Sequence, residues 1–366
     1  MKKKFLVKAY FAMNLGDDLF LKILFDRYPD VEWHLLTASE NYSMVFNQYK
    51  NVKIINSMSV KLGRRKYNLF YKFNDLIFHY KKYDGLVIIG GSLFMENQAW
   101  KEHLIQGEYL PNKFQTLNKK TFIIGANFGP FNDALFLKRH REFFLKIDDI
   151  CYRDQYSYDL FKDMENVRVA PDVVFNLNIE PFEEKEKSVG FSLIDIKNRD
   201  GLKEHYDSYM DKTLELINKY IQHGYKVKLF SFCKNEGDLN IINTIIEKNN
   251  NKNKKSIEVI EYKGNLEWFL NRYKTCEVII GTRFHSIILG FLFEQNVYPI
   301  LYSDKTYNVL RDLNMDKNYC YIKDIEELDT DKVISTTNKM NVKEVVKAAS
   351  KQFAKLDTYL QNREIS

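Results

Sequence analysis

The sequence predicts an α/β protein made of two Rossmann-like domains. Three observations predict it. The chain has 366 residues, and at ~100–200 residues per domain that length suits two domains. Short apolar runs alternate with amphipathic stretches along the whole chain, as parallel α/β domains require. One charged stretch without periodicity, Glu180–Lys187, separates two such series and reads as the linker.

The first series opens with a strand over Phe5–Tyr10, then the turn Met13–Asp18 and a helix through Leu19–Tyr28. Strands are expected at Glu32–Leu36 and Val52–Ile55. Gly85–Ile89 is a fully apolar run that ends in Gly90-Gly91, the pattern of a strand buried on both faces. Phe122–Gly125 is another, followed by Ala126-Asn127-Phe128-Gly129-Pro130. Ile150–Tyr152 and Val167–Val169 are short strands, the second closed by Pro171-Asp172.

The second series gives strands at Val189–Leu193 and Lys226–Phe230, with a long helix Tyr206–His223 between them, stopped by Gly224. Lys248–Lys255 is a polar loop. Ser256–Glu261 is a strand and Leu266–Lys274 a helix. Glu277–Ile280 runs straight into Gly281-Thr282-Arg283-Phe284-His285-Ser286, then a buried helix Ser286–Phe293 and a strand Tyr298–Leu301. The tail, Val342–Leu360, has the spacing of an amphipathic helix. The expected division is 1–180, 181–335 and a C-terminal helix 336–366. Two such units on one short linker resemble the GT-B architecture, in which two domains face each other across a cleft and ligands sit at strand C-terminal ends.

Composition narrows the function classes. Hydrophobic residues make up 45% and charged residues 28%, so wholesale disorder is excluded. The net charge of +6 suits an anionic ligand or an anionic membrane face, and is too small to call for nucleic acid. Only 12 of the 55 basic residues are Arg, so an Arg inside a motif carries more information than a Lys. Cys151, Cys233, Cys276 and Cys320 stand apart and read as reduced thiols of a cytosolic protein. The N-terminus has no signal-peptide pattern, and no stretch approaches ~18 apolar residues. A cytoplasmic protein is expected. The histidines are dispersed, and neither a metal motif, a P-loop, a nucleophile elbow nor a three-glycine dinucleotide fingerprint is present. Neither metal nor cofactor is expected.

The sharpest motif is Gly281–Ser286. Arg283 and His285 follow a buried strand and open a helix, where free backbone N–H groups and the helix dipole favour an anion. The pair is either an anion site with a proton donor or a structural His beside a surface Arg. Arg153-Asp154, before Ser157, repeats the strand-to-helix context, with Asp154 placed to cap the helix. Arg153 is either a ligand group or a structural partner of an Asp. In the first turn, Asn14-Leu15-Gly16-Asp17-Asp18, Asp18 suits a helix cap, and Asp17 suits sugar hydroxyls or a catalytic base. Gly91 and Asn127 sit in glycine turns that let a ligand approach the backbone. Lys305 follows the strand Tyr298–Leu301 and could reach the region of His285. Lys61–Lys82 interleaves seven cations with Tyr and Phe. It is either an ordinary basic helix face or a surface for anionic lipid.

Taken in order, these pieces resemble the polysaccharide pyruvyl transferase family. The match rests on N-x-G-D (Asn14, Gly16, Asp17), glycines after a strand (Gly90, Gly91), I-G-x-x-x-G-P (Gly125, Gly129, Pro130), R-D-x-x-S (Arg153, Asp154, Ser157), A-P-D (Ala170, Pro171, Asp172) and G-x-R-x-H (Gly281, Arg283, His285). One departure is Ser92, where the family often has a third glycine followed closely by an acid; the nearest acid here is Glu96.

The resemblance implies a GT-B-like enzyme that uses phosphoenolpyruvate as co-substrate. It would install a pyruvate ketal across two hydroxyls of a sugar, often in a lipid-linked precursor of capsule, exopolysaccharide or cell-wall polymer. Arg153, Arg283, Lys305 and His285 would then face phosphoenolpyruvate, on the side of residues 181–335. Asn14, Gly16, Asp17, Gly91 and Asn127 would face the saccharide acceptor, on the side of residues 1–180. His285 would be the general acid, with Asp17 as the second proton-handling group. The chemistry suits these types: Arg and Lys pair with carboxylate and phosphate, and His moves protons near neutrality. Such an enzyme would work at the inner membrane face, with peripheral contact to anionic lipid. The other readings are a GT-B glycosyltransferase using a nucleotide sugar, and a non-catalytic glycan-binding protein.

Overall fold

The computed structural model describes residues 2–39, 41–57, 59–62, 65–68, 79–178, 184–249 and 254–361. Residues 180–183 of the expected linker, 250–253 of the loop, and 63–64 and 69–78 of the basic stretch lie outside the described residues, and the linker's last two residues, Glu186 and Lys187, already belong to a strand.

The chain forms two compact units. One comprises Met1–Phe11, Phe20–Asn176 and Lys347–Ser366, and the other Ala12–Leu19 and Leu177–Val346. The sequence reading instead had one crossing near residue 181 and a separate tail. The N-terminal turn belongs with the second unit because its backbone bonds there, Leu15 N–H donating to the Phe232 carbonyl at 3.1 Å. Of the expected tail 336–366, only the part from Lys347 belongs with the first, where Gln352 Nε2 donates to the Ala170 carbonyl at 2.7 Å.

The first unit holds the strands β1 (Lys4–Lys8), β2 (Glu32–Thr37), β3 (Val52–Asn56), a hairpin of β4 (Ser59–Leu62) and β5 (Arg65–Asn68), then β6 (Gly85–Ile89), β7 (Lys120–Ala126), β8 (Asp149–Tyr152) and β9 (Val167–Val169). Seven of these make one parallel sheet in the order β3-β2-β1-β6-β7-β8-β9. The order reverses between β1 and β6, where Lys8 pairs with Ile88. Ligands of open α/β sheets bind beyond the strand C-termini at such a switch point.

The second unit repeats the plan with β10 (Glu186–Ser192), β11 (Lys226–Ser231), β12 (Ile257–Glu261), β13 (Cys276–Gly281), β14 (Asn296–Leu301) and β15 (Cys320–Tyr321). These form a parallel sheet in the order β12-β11-β10-β13-β14-β15. Its switch point lies between β10 and β13, where Ser192 pairs with Gly281. The β-branched and apolar runs bury because both faces of each sheet are covered: all five residues of β6 are buried.

Each unit has its own core. In the first, Leu86, Ile123, Ile150, Phe128 and Phe144 pack with Trp100 and Phe136 from two helices, Trp100–Thr116 and Ala134–Phe144. In the second, Phe191, Leu229 and Val278 pack with Leu216, Ile217 and Ile242. The tail is not one helix. Lys343–Ala349 and Ala354–Gln361 flank a 3-10 turn, Ser350–Phe353, from which Gln352 points into the first unit. Cys151, Cys233 and Cys276 are buried and Cys320 half-buried, all as free thiols. Burial pushes the Cys151 thiol up to about 12, so it is inert near neutrality.

Candidate functional site

In the second unit, the strand ends at the switch point carry the Gly281–Ser286 motif. Thr282 N–H donates to the Ser192 carbonyl at 3.0 Å, which continues the β10–β13 pairing by one residue. Arg283 then takes the extended N-cap conformation before the helix Phe284–Leu292. Its guanidinium is buried and engaged. Nε donates to both Asp238 oxygens at 3.1 Å, Nη2 also pairs with Asp238, and Nη1 pairs with Glu236. Asp238 further accepts from the Phe232 and Cys233 amides at 2.9 and 3.0 Å.

Burial pushes the Asp238 carboxyl up despite Arg283. Burial, the largest single effect, acts on Glu236 in the same sense, but the charge and hydrogen bond of Arg283, with Asn14 and Arg199, together outweigh it and lower that carboxyl. Arg283, expected to grip an anion directly, is therefore held by two carboxylates. Its guanidinium fixes the loop that precedes His285.

The first turn of the chain meets the same cluster. Asn14 Nδ2 donates to Glu236 Oε1 at 3.3 Å, and Asn14 Oδ1 accepts from the Gly16 amide at 3.0 Å. Gly16 packs directly under His285: a β-carbon at 16 would lie 1.7 Å from His285 Nδ1. His285 is half-buried, and its ring meets Phe284 edge-on at 5.1 Å. Asp17 is half-buried in the first turn of the helix Leu15–Arg27. Asp18 is fully buried and accepts from the Tyr262 hydroxyl at 2.7 Å, so its side chain locks this turn to the second unit.

Lys305 opens the helix Asp304–Asp312 and lies 5.2 Å over the Tyr302 ring. Arg199 lies 5.3 Å over the same ring and 4.0 Å from Glu236. Burial would raise the Tyr302 phenol, but Lys305, with Arg283 and Arg199 behind it, lowers it. The second unit thus gathers Lys305, Arg199 and Tyr302 into a cationic group.

In the first unit, Arg153 follows β8 and its guanidinium is buried. Nη1 donates to Asp172 at 3.0 Å and Nη2 to Asn127 Oδ1 at 2.7 Å. A β-carbon at Gly91 would lie 2.5 Å from Arg153 Nη1, so the guanidinium needs glycine there. Gly91 and Asn127, expected to contact an acceptor, are thus taken up in seating Arg153. Asp172 is fully buried, and desolvation pushes its carboxyl up against the pull of Arg153. Asp154 caps its helix as expected, accepting from Ser157 N at 2.8 Å and from Ser157 Oγ at 3.0 Å. Ser157 Oγ in turn accepts from Phe128 N at 2.7 Å, tying the glycine turn after β7 to this helix.

Gln352 joins these pieces. It accepts from Gly125 N at 3.1 Å and donates to the carbonyls of Tyr152, Ala170 and Pro171 at 3.2, 2.7 and 3.0 Å.

Sequence reasoning brought forward Asn14, Gly16, Arg283 and His285, which the structure gathers in the second unit. Gly91, Asn127 and Arg153 gather in the first. It missed Glu236, Asp238, Arg199, Tyr302 and Gln352. The scarcity of Arg was a usable signal for Arg199; Gln352 had none. Among the described residues, no group of three or more His, Cys, Asp or Glu is placed to hold a metal ion. Nor is any described helix long and apolar enough to cross a membrane.

Two Rossmann-like units with these switch points define a protein of the GT-B fold class, as solved structures bear out. The UDP-GlcNAc 2-epimerase of Methanocaldococcus jannaschii, solved with UDP-GlcNAc and UDP, is similar with TM-score 0.59 and 12% identity, over 98% of this chain and 100% of that one. Anabaena Alr3699/HepE, solved with UDP and glucose, is similar with TM-score 0.55 and 10% identity, over 97% and 94%.

At family level, the profile of the polysaccharide pyruvyl transferases matches residues 14–304, and the chain belongs to that family. The amylovoran biosynthesis protein AmsJ of Erwinia amylovora is 22% identical over 291 residues, 70% of this chain and 65% of that protein. The chain therefore spans less than two thirds of that relative.

Proposed function

We propose that the protein transfers the enolpyruvyl group of phosphoenolpyruvate onto two hydroxyls of a sugar in a polysaccharide precursor, giving a pyruvate ketal. Family membership supports transfer to a polysaccharide. The observation that carries the chemistry is the seating of His285 on Gly16, with Arg283 clamped beside it by Asp238 and Glu236. An imidazole held on a rigid turn near cations is what a proton delivery to an anionic substrate needs.

In this reading His285 protonates the methylene carbon of phosphoenolpyruvate, making C3 a methyl group and C2 electrophilic. A sugar hydroxyl attacks C2 and gives up its proton, restoring His285. The C2–O bond to phosphate breaks with its electron pair leaving on phosphate. A second hydroxyl closes the ketal, and its proton leaves with phosphate. Lys305 and Arg199, gathered in the second unit, supply positive charge for carboxylate and phosphate. Asp17 serves as the base for the second hydroxyl and passes that proton on to the departing phosphate. The acceptor is lipid-linked in this reading, which sets the protein in the cytoplasm at the inner membrane face.

The test is phosphate release from phosphoenolpyruvate with a polysaccharide-precursor acceptor, followed with deuterium incorporation into the ketal methyl from D2O. Acceptor-dependent release with one solvent deuterium per methyl is expected. Binding of a nucleotide sugar, with no turnover of phosphoenolpyruvate, would assign the fold to glycosyl transfer instead.

A further inference from the structure

The switch point of the first sheet opens on a cavity of about 450 Å³, within the ~300–1,000 Å³ of small-ligand sites. Lys8 ends β1 beside Ile88 of β6, and both line it. The inner wall is aromatic: Trp100 meets Phe136 edge-on at 5.3 Å, and both are buried. The rim is polar, with Asn97 3.3 Å from His103 Nδ1. Ser92 joins the cavity to the Gly90-Gly91 turn. Among the described residues that line it there is no Asp or Glu, and Lys8 carries the one full charge. Burial of that amine pulls it down to about 8.

We propose that this cavity binds a sugar unit bearing an anionic group, with the ring against Trp100 and Phe136 and the anion at Lys8. The inference rests on the transfer reading above, and names the acceptor class for that reaction. A pyranose has an apolar C–H face for the aromatic wall and hydroxyls for Asn97 and His103. A desolvated ammonium that meets no carboxylate among the described lining residues gains most from a ligand that brings negative charge. A carboxylate and a phosphate both supply it.

The full chain would be titrated with glucuronate, glucose 1-phosphate, glucose and inorganic phosphate by ligand-observed NMR, in the wild type and in Lys8→Met and Lys8→Arg. Tighter binding of either anionic sugar than of both glucose and inorganic phosphate is expected. The preferred one shows which anion the site takes. Lys8→Met should cost that sugar ~10–100-fold, the worth of one charge-assisted hydrogen bond, with Lys8→Arg restoring part. Equal binding of glucose, an unchanged preference in Lys8→Met, or no sugar binding at all overturns the proposal. Phosphate release from phosphoenolpyruvate is scored separately. Turnover without the anionic preference defeats this inference alone; preference without turnover defeats the transfer reading alone.

Discussion

His285 and Gly16, 269 positions apart, are in direct contact: the imidazole occupies the space a side chain at position 16 would need, 1.7 Å from the β-carbon site. Helix propensity alone would favour Ala over Gly in this first helical turn by ~1 kcal/mol. The contact decides otherwise. Gly16→Ala is expected to keep the fold and displace the imidazole. On the proposed transfer reading, turnover at saturating phosphoenolpyruvate should then fall nearly as far as in His285→Gln, roughly 10²–10⁴-fold. The double variant should be no worse than the poorer single one, because both remove the same positioned group. Wild-type turnover in Gly16→Ala would refute the positioning.

Arg283 tests a different link. Reading it as a direct ligand predicts that Arg283→Ala loses donor affinity in a stable protein. The observed pairing with Asp238 and Glu236 predicts the reverse emphasis. Removing the guanidinium leaves the fully buried Asp238 carboxylate, and the half-buried Glu236 one, without their cation, and should cost ~3–5 kcal/mol in the second unit. Arg283→Lys should recover only part of it, since an ammonium cannot reproduce the forked pairing. Chemical denaturation with calorimetry on each variant separates the two accounts.

Much of the fold was legible because short strand-length runs, some wholly apolar, are bounded by glycine or proline. Gly85–Ile89, Val167–Val169 and the helix Leu266–Lys274 fall where the pattern put them. The helix Trp100–Thr116 did not stand out, because Gly107 and Pro111 interrupt its period, although Pro111 sits inside it. The His285 and Arg283 pair was legible from its strand-to-helix setting. Glu236 and Asp238 were not: in Lys-Asn-Glu-Gly-Asp they read as a charged loop, and only the tertiary fold brings them to Arg283. The attachment of residues 12–19 to the second unit is likewise a matter of long-range bonds such as Asp18 to Tyr262.

Gln352 holds the loops that seat Arg153. Gln352→Leu keeps much of the volume but strips a partner from the Gly125 amide and from the Ala170 carbonyl. A loss of roughly 2–4 kcal/mol is expected, since each buried group left unsatisfied costs ~1–3 kcal/mol. Hydrogen exchange should report it locally, with the Gly125 amide losing protection. Unchanged exchange there would show that the tail does not support the Arg153 site.

Lys8 gives the pH test. Burial disfavours its charge and holds its folded-state pKa at about 8, against 10.5 for an unperturbed lysine. A lysine depressed in this way costs stability below pH ~8, where folded and unfolded chains both carry the proton. The cost lifts as pH rises from about 8 towards 10.5, where the unfolded chain binds more protons than the folded one. Lys8→Met should therefore be more stable than the wild type at pH 7, with the gap closing above pH 8. Ligand binding has the opposite slope. The other titratable groups lining the cavity are His103 and His140. Burial lowers His140, leaving it neutral across this range. An anion holds the Lys8 proton, so affinity for glucuronate or glucose 1-phosphate should weaken as pH rises through about 8. Affinity for glucose should stay flat. Titrations from pH 6.5 to 10 on the wild type and Lys8→Met check both slopes; an alkaline loss of anion affinity that persists in Lys8→Met would assign it to another group.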